Sequence, residues 1–243
     1  MKTPIACPAW LLPSAILLMS AVATCADETS TSKDIPAAPP GTFAIVVLPD
    51  SQDYLTGRNE NRRLFHAEIQ WIIDHRDAQR IVFVSHVGDV VQHDAKMQWN
   101  VAAQEMGLLH GRVPYAISVG NHDMQCPSGD SSLFQATFPA SKFADFPWYG
   151  GPFKNNANSY QLFSAEGCDF IILHLECNAP DPVLKWANKS LADHRDRRAI
   201  DPTHVYLGAH QGCGHAIWGG SPGVVQRVTG SGSLGFRKES TEW

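Results

Sequence analysis

The stretch Phe43-Ala44-Ile45-Val46-Val47-Leu48-Pro49-Asp50-Ser51-Gln52 decides the class of fold. An unbroken apolar run from Phe43 to Leu48, with no polar alternation, describes a strand buried on both faces, as in a parallel sheet covered by helices. Pro49 lacks a backbone N–H, so the strand stops there and delivers a carboxylate at its end. The same arrangement recurs twice. Ile81-Val82-Phe83-Val84 leads to Gly88-Asp89, and the segment from Val113 to Val119 leads to Gly120-Asn121-His122-Asp123. Between these runs, Phe65, Ile69, Ile72 and Ile73 recur at helical spacing and predict an amphipathic helix over residues 59–78. Trp99, Ala102, Ala103, Met106 and Leu109 mark one face of a second helix. Alternating strands and helices describe an α/β protein with a mainly parallel sheet and right-handed crossovers, which brings the three polar islands to one sheet edge.

Two carboxylates, an amide and an imidazole at neighbouring strand ends are the donors that hold a pair of divalent cations and supply a proton. In this order the islands resemble the calcineurin-like metallophosphoesterases, whose pattern is D-x-H, GD, GNH(D/E), a later His and G-H-x-H. The resemblance covers residues 42–207 and implies an α/β/β/α sandwich, incomplete at its C-terminal side. It also implies two divalent metal ions, Mn, Fe or Zn, and a phosphate-ester substrate. Asp50 and Gln52 would hold the first ion, with Gln52 standing where the pattern has histidine. Asp89 would bridge both ions, Asn121 and His204 would hold the second, His122 would protonate the leaving alkoxide, and Asp123 would orient the neighbouring loop. The implied reaction is attack by a metal-activated water on a phosphate monoester or diester, without a covalent enzyme intermediate.

The last motif departs from the pattern. Gly214-His215-Ala216-Ile217 has isoleucine where the second histidine belongs, and it follows His204 too closely for the intervening strands. His210 and His215 are poor substitutes, His215 being the one retained as a candidate metal ligand. The alternative to an active hydrolase is therefore a catalytically inactive, truncated phosphoesterase fragment or a binding protein.

Outside the core, Lys2, the apolar run from Trp10 to Met19 and the small residues up to Ala26 describe a signal peptide over residues 1–26. The expected location is secreted or periplasmic, with lipid anchoring at Cys25 as the alternative and no transmembrane segment after cleavage. Residues 27–41, rich in Ser, Thr, Pro and Ala, form a linker; residues 208–243 form a glycine-rich tail. A net charge of -5 provides no basic surface for nucleic acid. Cys126, Cys168, Cys177 and Cys213 lack CxxC spacing and speak for buried thiols rather than a zinc site.

Residues 124–157 show no clean period and are either a substrate-facing loop or an insertion packed on the domain. Ser159–Phe163 and Phe170–Leu175 predict paired strands around a turn at Glu166-Gly167. Asp181-Pro182 predicts a helix start with Asp181 as its cap, and 204–207 a final strand.

Overall fold

The computed structural model describes residues 35–56, 59–124, 129–204, 224–226 and 236–238. The expected signal peptide, Cys25, the start of the linker, the strand beyond His204, and His210 and His215 lie outside the described residues. The end of the linker is held in place: the Ala38 N–H donates to the Ala78 carbonyl and the Gln79 side chain to that of Pro36.

Three parallel strands, β1 (Ala44–Leu48), β2 (Ile81–His86) and β3 (Tyr115–Ile117), form one sheet in that order. They are joined by α1 (Asn59–His75) and α2 (Lys96–Gly107), as the periodicity predicts. Side chains alternate between two environments. Val84, Tyr115 and Ile117 pack towards Phe65, Ile69, Trp99 and Met106 of the helices, whereas Phe83 and Ala116 point the other way. Glu105 on α2 is buried and takes Arg62 at 2.6 Å and His66 at 2.8 Å from α1, so the two helices are tied by charge as well as by packing.

A second sheet runs β4 (Tyr149–Phe153), β5 (Asn158–Ala165), β6 (Cys168–His174), β7 (Arg198–Ile200). The β5–β6 hairpin turns at Glu166-Gly167, where both residues have positive φ (47° and 73°), the combination a tight two-residue turn requires. Phe163, Phe170 and Ile172 meet Phe83 and Ala116 between the sheets, with Phe83 and Phe163 stacked at 5.3 Å. On the far side Ile171, Leu173 and Leu175 pack against Val183, Leu184, Ala187 and Leu191 of α4 (Asp181–Asp193). The order helix, sheet, sheet, helix is the α/β/β/α sandwich.

The structure departs from the sequence reading or sharpens it at four points. β1 is not buried on both faces: Val47 is 58% exposed, because β1 is an edge strand of its sheet among the described residues. Residues 129–157 are the packed alternative rather than an open loop. A short helix, α3 (Ser132–Thr137), leads into a core where Phe134, Phe138 and Phe143 are buried. Pro180, not Asp181, caps α4, and Asp181 is its first residue. The chain also forms β7, which pairs in parallel with β6 and which no sequence signal marked. Among the described residues no helix is long and apolar enough to cross a membrane. Two short strands, β8 (Val224–Gln226) and β9 (Phe236–Lys238), pair within the tail.

Candidate metal centre

Since β1, β2 and β3 are parallel, the loops after them leave from the same sheet edge, and these loops carry Asp50, Asp89 and Asn121. Two glycines allow the second and third loops to touch. A Cβ on Gly120 would run into the backbone N and Oδ1 of Asp89, and one on Gly88, at φ +107°, would lie 2.9 Å from the Gly120 N and from the His204 Cβ. Asp89 itself adopts φ +50°, a conformation that non-glycine residues avoid and that tends to be kept where function requires it.

His204 reaches the site from the second sheet. After β7 the Pro202 carbonyl accepts hydrogen bonds from the Ser118 hydroxyl and the Leu175 N–H, which fixes the approach. The imidazole then lies with Nε2 3.2 Å from Asp89 Oδ2 and Nδ1 3.6 Å from Asp50 Oδ1. One ligand atom from each of Asp50, Asp89 and His204 falls within 4.8 Å of the others.

The electrostatics fit a cation. Burial lowers the His204 pKa, but the hydrogen bond and charge of Asp89 and the charge of Asp50 outweigh it and leave the pKa raised. Burial pushes Asp89 upward, yet its hydrogen bonds with His204 and the His122 N–H and their charges hold it below the ordinary carboxylate range. His204 Nδ1 faces the Val87 carbonyl at 3.2 Å, which leaves Nε2 as the nitrogen for a ligand. Anchoring one ring nitrogen on a backbone carbonyl is how metal-binding histidines are oriented. Gln52 Oε1 is buried with no hydrogen-bond partner, two residues beyond Asp50. An oxygen-rich set of this kind, with one imidazole, fits a divalent ion.

The island after β3 serves the same centre. The His122 N–H donates to Asp89 Oδ1 at 2.8 Å, and His122 Nδ1 donates to the Gln92 carbonyl at 2.8 Å, so Nε2 is the nitrogen left for proton transfer. Asn121 is half-buried between Gly120 and His122. Asp123 is fully buried and clasps the two loops, accepting from the Val91 N–H at 3.0 Å and the Gly120 N–H at 2.8 Å. Burial pushes its carboxyl up to about 7.

Sequence reasoning missed Ser51 and His86. The Ser51 hydroxyl donates to the Val90 carbonyl at 3.0 Å and its N–H to the Asp89 carbonyl at 3.1 Å. His86 Nδ1 accepts the Gly88 N–H, so its Nε2–H donates to Ser51 Oγ at 3.0 Å. These bonds pin the residue between Asp50 and Gln52 to the loop of Asp89. Burial, then the charge of His204, depresses His86 to about 3 and keeps it neutral. A histidine ending an apolar strand and a serine beside the first aspartate were the only signals.

No family model matches the chain. Over 183 residues it is 32% identical to "Uncharacterized protein YvnB" of Bacillus subtilis (strain 168), a match that covers 74% of this chain and 13% of that protein. The chain thus spans a small part of this curated relative. Among solved structures it is similar to the purple acid phosphatase PPD1 from yellow lupin (Lupinus luteus) seeds, with a TM-score of 0.45 and 20% identity over 74% of this chain and 34% of that one.

Proposed function

We propose that this chain is a metal-dependent phosphoesterase that hydrolyses a phosphate monoester or diester at the Asp50, Asp89 and His204 centre. The observation that carries the reading is the convergence of these three side chains within 4.8 Å, from two different sheets, beside His122. Gln52 and Asn121 complete the proposed ligand set, and two divalent ions remain the expected complement. Bound divalent ions supply an acidified water as nucleophile and neutralise charge on the phosphoryl oxygens. The chain's own residues do the rest. Asp89, held by the His122 N–H, keeps the second and third loops in register, and Asp123 clasps them from below. His122, oriented by the Gln92 carbonyl, holds a proton at Nε2 and gives it to the leaving alkoxide.

The test is hydrolysis of a chromogenic phosphodiester and a chromogenic monoester by wild type, Asp89→Asn and His122→Ala. Chelator-sensitive turnover is expected in wild type. His122→Ala should lose about 10²- to 10⁴-fold on esters with poor leaving groups, and less where the leaving group needs no proton. Equal turnover in wild type and Asp89→Asn would sink the reading.

A further inference from the structure

We propose that Gln52 sets the metal preference of this centre, holding it to an oxygen-dominated donor set that favours a hard cation of the Mn²⁺ kind over what an imidazole at that position would allow. The inference rests on the metal-centre reading above and concerns which ion the centre takes. Three observations support it. Gln52 Oε1 is buried and has no hydrogen-bond partner, so it is a lone acceptor on the residue two positions beyond Asp50. The residue before it is pinned three times, by the Val90 carbonyl, the Asp89 carbonyl and the His86 ring, so Gln52 is carried on the same rigid segment as Asp50. The Asp50, Asp89 and His204 cluster contributes two carboxylates and a single imidazole.

With the amide oxygens of Gln52 and Asn121 the proposed donors number four oxygens to one nitrogen. A second imidazole in place of Gln52 would make the set three to two. Nitrogen donors strengthen binding of Zn²⁺ far more than of Mn²⁺, whose preference is for carboxylate, carbonyl and water oxygen. Gln52 therefore narrows the advantage that Zn²⁺ holds at most mixed sites. The neutral amide also adds no charge, so the preference comes from donor type and not from electrostatic attraction common to all divalent ions.

The experiment uses the full chain, stripped with a chelator, and measures Zn²⁺ and Mn²⁺ binding by competition titration and by the electron paramagnetic resonance of Mn²⁺. Wild type, Gln52→His and Gln52→Glu are compared, with melting temperatures as the check on folding. The expected result is that Gln52→His tightens Zn²⁺ by about tenfold or more, the size of effect that ligand-shell changes produce, while Mn²⁺ changes less than about threefold. Gln52→Glu keeps oxygen and should tighten both ions together. A Zn²⁺ to Mn²⁺ ratio unmoved by Gln52→His in a folded protein overturns the inference and leaves the metal centre standing. A ratio moved equally by Gln52→Glu also overturns it, because charge would then be the cause. Binding of neither ion by wild type removes the inference and the phosphoesterase reading together.

Discussion

Asp89 carries more of the site than its position in a Gly-Asp dipeptide suggests. Its backbone sits at φ +50°, its Oδ1 takes the His122 N–H, and its Oδ2 faces His204. The arrangement is possible only because residue 120 has no side chain. Gly120→Ala would force a methyl into the Asp89 backbone and carboxylate, the latter held by the His122 N–H. Overpacking of this kind typically costs about 1–3 kcal/mol. Gly120→Ala should therefore lower the melting temperature and weaken metal binding at once, whereas Gly107→Ala, at a position with open space around it and no positive φ, should leave binding unchanged. Calorimetry with titrated Mn²⁺ separates the two. The glycines were legible as parts of motifs; their reason, one backbone pressed on another, was not, because contact between residues thirty positions apart leaves no local trace.

At the scale of single elements, β2 carries two buried histidine-linked networks on its opposite faces. His86 faces α1, with its ring edge-on to Phe65 at 6.4 Å. Ser85 faces the second sheet and donates to His174 Nε2 at 2.9 Å, while His174 Nδ1 donates to Gln161 Oε1 at 2.9 Å. Burial above all depresses His174 from 6.5 to about 3. In the folded chain it stays neutral where the unfolded chain takes up a proton, so its stabilising contribution is complete above pH 6.5 and is lost as pH falls towards 3. Asp123 and Asp201, raised to about 7 by burial, act in the opposite sense over an overlapping range. The difference between wild type and His174→Gln isolates the histidine. Denaturant unfolding should show the variant losing less stability per pH unit between pH 6.5 and 3, by up to about 1.4 kcal/mol. Parallel curves for the two proteins would contradict this.

The elements themselves were readable to different degrees, for physical reasons. α1 and α2 show helical periods because each buries one stripe, and the β5–β6 hairpin shows because its turn needs left-handed residues at Glu166-Gly167. Residues 129–157 gave no period because their burial comes from single aromatics, Phe134 within the short α3 and Phe138 and Phe143 at the ends of short helical segments. β7 is three residues long, too short for any alternation to register. β1 looked doubly buried because apolar composition does not reveal which strand will be an edge.

For the whole molecule, the sandwich matters because it delivers ligands from both sheets to one place. Asp50 and Asp89 belong to the first sheet, and His204 arrives from the second after β7. Packing between the sheets therefore sets the geometry of the centre. Phe83→Ala empties the space facing Phe163 and His174 and should cost about 3–5 kcal/mol, as large-to-small changes of buried aromatics do. Loss of stability with metal affinity intact in the folded fraction would show that the sheets are not coupled in this way. Islands one to three of the site were legible as ordered motifs, and His204 as a lone histidine. The Ser51 and His86 clasp was not, since it joins two loops through a hydroxyl and a ring that carry no motif.

The central claim is that Asp50, Asp89 and His204 form a metal centre, and the most direct test is divalent metal bound per chain. Purified full chain would be stripped, reloaded with Mn²⁺, passed through a desalting column and measured by elemental analysis, beside Asp89→Asn and His204→Ala. The account predicts bound metal in wild type that either substitution removes or loosens into the micromolar range or weaker. A folded wild type that retains no metal, or variants that retain as much as wild type, would contradict it.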